Sequence, residues 1–251
     1  MFKSVSIIYP VYNEEKRLLK TFADINEFEK SKKSIKTEYI FVNDGSSDQS
    51  LSLIKKKFRN NINVKVVNYY KNMGKGYALK RGVQVAKNDW VLTTDADCSV
   101  SNFQLTKWIK KKYLIKNTLI YFGSRSHKFS IVKKKIARKV VGIAFKFLIR
   151  LFFKIKISDT QCGFKLYKLN TAKKIFKIIS TNDYMHDIEI CLIAKKLNLK
   201  IKDLPIKWTH VDESKINFIR DIFKVLFSLI KISRINYKIT KHGKAFLKHK
   251  I

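Results

Sequence analysis

Asp95-Ala96-Asp97 follows the apolar run Trp90-Val91-Leu92. Two carboxylates one residue apart at a strand end can reach a single hard cation. Mg2+ commonly takes one or two protein carboxylates and completes its shell with phosphate oxygens and water. Such a cation supplies counter-charge to a departing diphosphate. A surface turn has the same composition, so the spacing alone leaves both readings open. Three further clusters have the same standing. Asn43-Asp44-Gly45-Ser46-Ser47-Asp48 is made of turn formers. In it Ser47 or Asp48 can cap a following helix, and Asp44 can accept hydrogen bonds from a base or a ribose. Tyr9-Pro10-Val11-Tyr12-Asn13-Glu14 reads either as a strand end meeting a helix start or as a nucleoside contact. In the second reading Tyr12 packs on a base and Glu14 takes polar groups. Asn72-Met73-Gly74-Lys75-Gly76 lets backbone approach an anion, with Lys75 as a point charge. It lacks the spacing of a Walker loop.

These clusters need elements to hold them. Residues 5–9 read as a buried strand stopped by Pro10, 14–30 as a helix and 39–42 as a strand ending in the 43–48 turn. Residues 50–58 read as a helix, 64–68 as a strand, 76–86 as a helix and 90–93 as a strand. Strand–helix alternation predicts a doubly wound, mostly parallel α/β sheet. Ligands of such sheets bind beyond the carboxyl ends of the strands. Tyr12, Asn13, Glu14, Asp44, Asp48, Asp95 and Asp97 all fall at that edge, a coincidence weightier than any single motif. After residue 100, the 121–125 segment reads as a strand and loop, and 158–167 as a polar loop entering a short strand. The 182–197 segment includes a helix with Asp187 and Glu189, and 200–209 reads as a strand. The 131–157 and 216–235 segments read as amphipathic helices, and the last dozen residues as a solvated tail.

Lys and Arg total 54 against 19 Asp and Glu, a net charge of +35. That charge calls for an anionic partner: nucleic acid, an acidic membrane surface or a phosphorylated substrate. Most of the excess is lysine. The positive charge is spread along the chain without a nucleic-acid motif, so we expect no nucleic-acid partner. A hydrophobic content of 45% excludes a wholly disordered chain, and 8 Gly with 2 Pro exclude collagen-like classes. Cys98, Cys162 and Cys191 have neither zinc-ligand spacing nor an even count, which suits a reducing compartment. We expect no signal peptide, and no apolar window reaches spanning length.

The ordered series YPVYNEE, VNDGSSD, NMGKG and DAD resembles family-2 glycosyltransferases of the GT-A fold. The likeness continues through GSR at Gly123–Arg125, DTQCGFK at Asp159–Lys165, HDIE at His186–Glu189 and IKWTHVDESK at Ile206–Lys215. As a set these are similar to the dolichyl-phosphate β-glucosyltransferase branch. The resemblance implies that Pro10, Tyr12, Glu14 and Asp44 bind the nucleoside of a nucleotide sugar, with Lys75 among the nucleotide-sugar contacts. It implies that Asp95 and Asp97 hold a divalent cation, Mg2+ or Mn2+, and the diphosphate. Arg125, Arg138 and Gln161 fall at the acceptor phosphate, and Asp159 on the acceptor side is an orienting group or a weak base. Asp187 and Glu189 match an FDxE segment in which His186 replaces the phenylalanine.

The implied reaction is a single inverting displacement. It takes glucose from UDP-glucose to a polyprenyl phosphate of dolichyl or undecaprenyl type. The alternatives are another donor such as GDP-mannose, or a hydroxyl or glycan acceptor. A hydroxyl nucleophile requires a carboxylate base, Asp159 or Asp187. A basic nucleic-acid-binding protein is the distant alternative. Residues 1–212 are expected to form the catalytic domain, including the amphipathic 131–157 segment. Residues 213–251 are expected to form an interfacial helix and basic tail. Apolar faces with basic flanks suit a membrane interface, so peripheral or monotopic attachment to a cytoplasmic membrane face is expected.

Overall fold

The computed structural model describes residues 2–32, 34–133, 153, 155–183 and 185–210. Its centre is a seven-stranded sheet. In chain order the strands are β1 (Ser4–Val11), β2 (Lys36–Asp44), β3 (Val64–Tyr69), β4 (Trp90–Thr93), β5 (Ile120–Ser124), β7 (Lys165–Lys168) and β8 (Ile201–Pro205). Two short strands, β6 (Ile131–Lys133) and β9 (Lys207–Thr209), form a separate parallel pair. The helices are α1 (Glu15–Ser31), α2 (Ser50–Lys57), α3 (Lys75–Val85), α4 (Phe103–Lys110), α5 (Leu169–Ile178) and α6 (His186–Lys196).

The large sheet runs β3-β2-β1-β4-β7-β5-β8, and β7 is antiparallel to both its neighbours. Every other pairing in it is parallel. Strand side chains alternate between faces, and here both faces are covered. Ile8, Ile40, Val42, Val91, Phe122 and Tyr167 pack on the layer containing α3, α5 and α6. Ile7, Tyr9, Phe41, Leu92, Tyr121 and Leu166 pack with α1, α2 and α4 on the other face. Burial on both faces explains why the strands read as continuous apolar runs.

Several expectations need correction. Pro10 does not stop β1; it lies inside the strand, opposite Val42. The β1–β4 ladder ends at Ile8 and Thr93, and the Thr94 amide bonds the Ile8 carbonyl. Pro10 falls two residues beyond Ile8 on that same side, where β4 has ended and no amide hydrogen is required. Asn43 and Asp44 belong to β2, not to the turn. Residues 131–133 start no helix: they pair with β9. Residues 155–157 are not helical, whereas Phe153 is helical and buried in the core. Residues 134–152 and 154 lie outside the described residues, and so does the whole 213–251 extension, Arg138 being among the former. The expected 200–209 strand is two strands in different sheets, divided at Ile206.

Candidate functional site

The carboxyl ends of β1 and β2 are stitched into one rim. The amides of Asn13, Glu14 and Glu15 donate to Ser46 Oγ at 3.0 Å, Ser50 Oγ at 2.7 Å and Asp48 Oδ2 at 3.1 Å. In return the Ser47 amide donates to Asn13 Oδ1 at 2.8 Å. Asn13 takes φ of 53°, a left-handed value that asparagine tolerates better than most residues. Asp48 also accepts from the Ser50 amide at 2.9 Å, so it works at the start of α2 as well as on the rim. Tyr12 stands out from this rim, 41% exposed. Glu14 pairs with Arg17.

Asp44 is buried, and its carboxylate faces the loop before α3. It accepts from the Met73 amide at 2.7 Å, the Gly74 amide at 2.9 Å and Asn72 Nδ2 at 3.2 Å. Gly45, at φ of 67°, makes that approach possible, because a Cβ there would lie 2.6 Å from the Asn72 nitrogen. The loop thus reaches α3 with Lys75 aimed at Asp95, Nζ to Oδ1 at 2.5 Å. The Asn182 carbonyl accepts from the Gly76 amide at 2.7 Å. A polar cavity of about 290 Å3 lies there, lined by Asn72, Met73, Gly74 and residues 180–183.

Asp95 and Asp97 follow β4 as the sequence predicts. Asp97 Oδ1 accepts from the Ser99 amide at 2.9 Å. Burial pushes the Asp97 carboxyl up, and the neighbouring Asp95 charge pushes it further. Burial also raises Asp95, but Lys75 outweighs it and the carboxyl lies below its usual value. The pair is short of positive charge, and Lys75 supplies one. Gly163 sits against it: a Cβ there would fall 2.6 Å from Asp95 Cγ. Gly163→Ala is expected to displace that carboxylate. A misplacement of about 1 Å costs about a hundredfold in turnover, and the thermal midpoint should move little because the obstructing atoms end a side chain. Kinetics beside a circular-dichroism melt checks both.

Arg125 closes the other side. Its Nε and Nη2 donate to Asp159 Oδ2 and Oδ1 at 2.7 and 2.9 Å, and its backbone amide also donates to Oδ2 at 2.9 Å. Asp159 is 1% exposed, and the Gln161 amide reaches it at 3.3 Å. The guanidinium carbon lies 5.9 Å from the centre of the Trp208 ring. Below the site, Lys165 Nζ pairs with Asp187 Oδ1, which also meets His186 Nε2 at 2.9 Å. Burial pushes the Asp187 carboxyl up, but His186 and Lys165 more than reverse this and hold it well below the usual range. Glu189 is structural: it accepts from Ser180 and Thr181 amides at 3.0 and 2.8 Å and fixes the cavity wall.

The sequence therefore brings Asp44, Lys75, Asp95, Asp97, Arg125, Asp159 and Gln161 to one sheet edge. Reasoning from residue types missed Lys165 as a buried charge and Trp208 as a neighbour of Arg125. Both lie in motifs singled out above, which was the available signal.

This arrangement has counterparts. The model of glycosyl transferase family 2 matches residues 6–176. The chain belongs to that family. It is 32% identical over 240 residues to the dolichyl-phosphate beta-glucosyltransferase of Dictyostelium discoideum, covering 91% of this chain and 73% of that protein. It is 36% identical over 236 residues to dolichyl-phosphate beta-glucosyltransferase ALG5A of Trichomonas vaginalis, with 91% and 72% covered. A similar solved structure is glucosyl-3-phosphoglycerate synthase of Mycobacterium tuberculosis in complex with Mn2+, UDP and glucosyl-3-phosphoglycerate. Its TM-score is 0.65 at 15% identity, with 90% of this chain and 80% of that one covered. At that identity the likeness speaks for the fold, and the fold is the GT-A architecture expected above. This family-2 chain is a glycosyltransferase of the dolichyl-phosphate β-glucosyltransferase branch.

Proposed function

We propose that the chain transfers glucose with inversion from UDP-glucose to a polyprenyl phosphate of the dolichyl type. The names of its relatives support the sugar and the acceptor. One observation carries the acceptor: both carboxylates that would serve as a base for a hydroxyl nucleophile are engaged by cations, Asp159 by Arg125 and Asp187 by Lys165. A phosphate monoester is anionic at neutral pH and needs no base. Positioning and charge neutralisation then do most of the catalysis.

In this reading Pro10, Tyr12 and Glu14 form the nucleoside rim. Asp44 acts through the loop it holds, and Lys75 meets the diphosphate. The polar cavity beside Gly74 suits sugar hydroxyls. Asp95 and Asp97 fit a divalent cation, Mg2+ or Mn2+, because two crowded carboxylates want positive charge. Among the described residues no group of three or more His, Cys, Asp or Glu forms a metal cage. Donor phosphate oxygens and water would complete the shell. When bound, the cation neutralises charge on the leaving diphosphate. Arg125 holds the acceptor phosphate, with Gln161 beside it, and Asp159 positions Arg125. A phosphate oxygen forms the new bond to the anomeric carbon as the bond from that carbon to the β-phosphate breaks. Attachment is peripheral or monotopic on a cytoplasmic membrane face; among the described residues no helix is long and apolar enough to cross a membrane. The catalytic domain is 1–212 and the extension 213–251.

Incubation with UDP-[14C]glucose, Mg2+ and polyprenyl phosphate should move label to the organic phase, dependent on both metal and lipid phosphate. Bound UDP-glucose without labelled lipid would point to another acceptor, and absent binding to another donor. Arg125→Lys breaks the two-pronged contact with Asp159 that fixes the guanidinium in place, and a point charge cannot replace it. It should raise KM for the lipid phosphate by about tenfold or more, at the usual strength of charged hydrogen bonds, and leave KM for UDP-glucose near its starting value.

A further inference from the structure

The connection from β5 to β6 turns two large apolar side chains to solvent. Phe129 is 67% exposed and Ile131 60%. Ser130 between them points inward, its hydroxyl donating to the Ser124 carbonyl at 2.5 Å and accepting from the Ile206 amide at 2.9 Å. The Ile131 amide donates to the Ile206 carbonyl at 2.9 Å. These bonds fix the backbone where the turn that carries Phe129 enters β6 at Ile131. The exposure belongs to an anchored segment.

One cation and one imidazole ring lie beside Phe129. Lys128 Nζ lies 5.0 Å from the Phe129 ring centre, and the His127 ring lies 5.7 Å from it. The sequence runs on through Lys133-Lys134-Lys135 in a chain of net charge +35. Exposed apolar side chains beside an ammonium group, in a strongly basic stretch of sequence, match an anionic lipid interface: rings and methyls enter the acyl boundary while cations stay among the headgroups. Charge disfavours a second copy, which would bring lysines against lysines. The same connection begins at Arg125, locked to Asp159 on one side and resting near Trp208 on the other.

We propose that residues 127–131 dock on an anionic lipid surface and thereby hold Arg125 level with the headgroup phosphates. The purpose rests on the lipid-phosphate acceptor proposed above; the docking is measured separately from it. The full chain should float with vesicles made of equal parts phosphatidylglycerol and phosphatidylcholine. The double variant Phe129→Ser, Ile131→Ser should bind them at least tenfold more weakly. Its transfer to a short, water-soluble prenyl phosphate should be unchanged. Phe129→Trp should show a blue-shifted emission, quenched by brominated lipid, that the parent lacks. Equal flotation of parent and serine variant, or a Phe129→Trp variant whose added emission brominated lipid leaves unquenched, overturns the proposal. So does a serine variant that turns a dimer into a monomer on gel filtration yet floats as before, because the patch then joins two copies. Flotation that depends on these residues in a protein that labels no prenyl phosphate upholds the docking and defeats the acceptor reading.

Discussion

Asp95→Asn is expected to lower transfer by about a thousandfold, the upper range for loss of one preorganised electrostatic contact, with Asp97→Asn of the same order. Fold and thermal midpoint should barely move. The Asp95–Lys75 pair is about a third exposed on each side, and ion pairs open to solvent contribute little to stability. In the variant Lys75 loses its partner but keeps access to water. Steady-state transfer beside a melting curve separates the two effects. Full turnover in excess EDTA would sink the metal assignment whatever the variants do.

The second large effect is on stability. Asp187→Ala leaves Lys165 buried, 2% exposed at the side chain, with no carboxylate against it. Stranding one partner of a buried pair costs about 3–5 kcal/mol, and urea denaturation should register a loss of that order. Replacing Lys165 and Asp187 together with apolar residues of similar volume should cost much less, because no charge is then left unpaired. The same pair sets an acid limit. The Asp187 carboxyl is held below its unfolded value. Its stabilisation is therefore complete above the unfolded carboxylate range near pH 4 (about 3.9 for Asp) and is lost as pH falls through the folded value. The Asp187→Ala protein should show a flatter decline in stability below about pH 4 than the parent. Parallel declines would remove Asp187 from that account.

The N-terminal half was readable because its strands are buried on both faces and so appear as unbroken apolar runs between turn formers. β4 matches its expected limits. Short amphipathic elements were harder. α4 and α5 were not singled out, since eight or ten residues give only two or three turns of pattern. β9 was read as part of β8 because nothing in apolar periodicity reports a change of sheet. At the site, residue types put Asp95 and Asp97 at a strand end and Lys75 in an anion-approaching loop, but did not show that Lys75 meets Asp95. They did not reveal that Asp159 is gripped by Arg125, 34 residues earlier in the chain. Nor did they reveal Lys165 as a core cation, since lysine in sequence reads as solvated.

The reversed strand β7 has a consequence for how the protein is made. β4 and β5 never touch; both wait for residues 165–168 to come between them. During synthesis the first four strands can assemble, but the edge of β4 stays open while more than seventy further residues emerge (165 − 93 = 72). An open parallel edge of that kind invites pairing with the wrong chain. The segment that closes it also brings Gly163 against Asp95. Completion of the sheet and completion of the turn at Asp95–Asp97 are thus one event, and a nascent chain halted before residue 168 should be both sticky and inert.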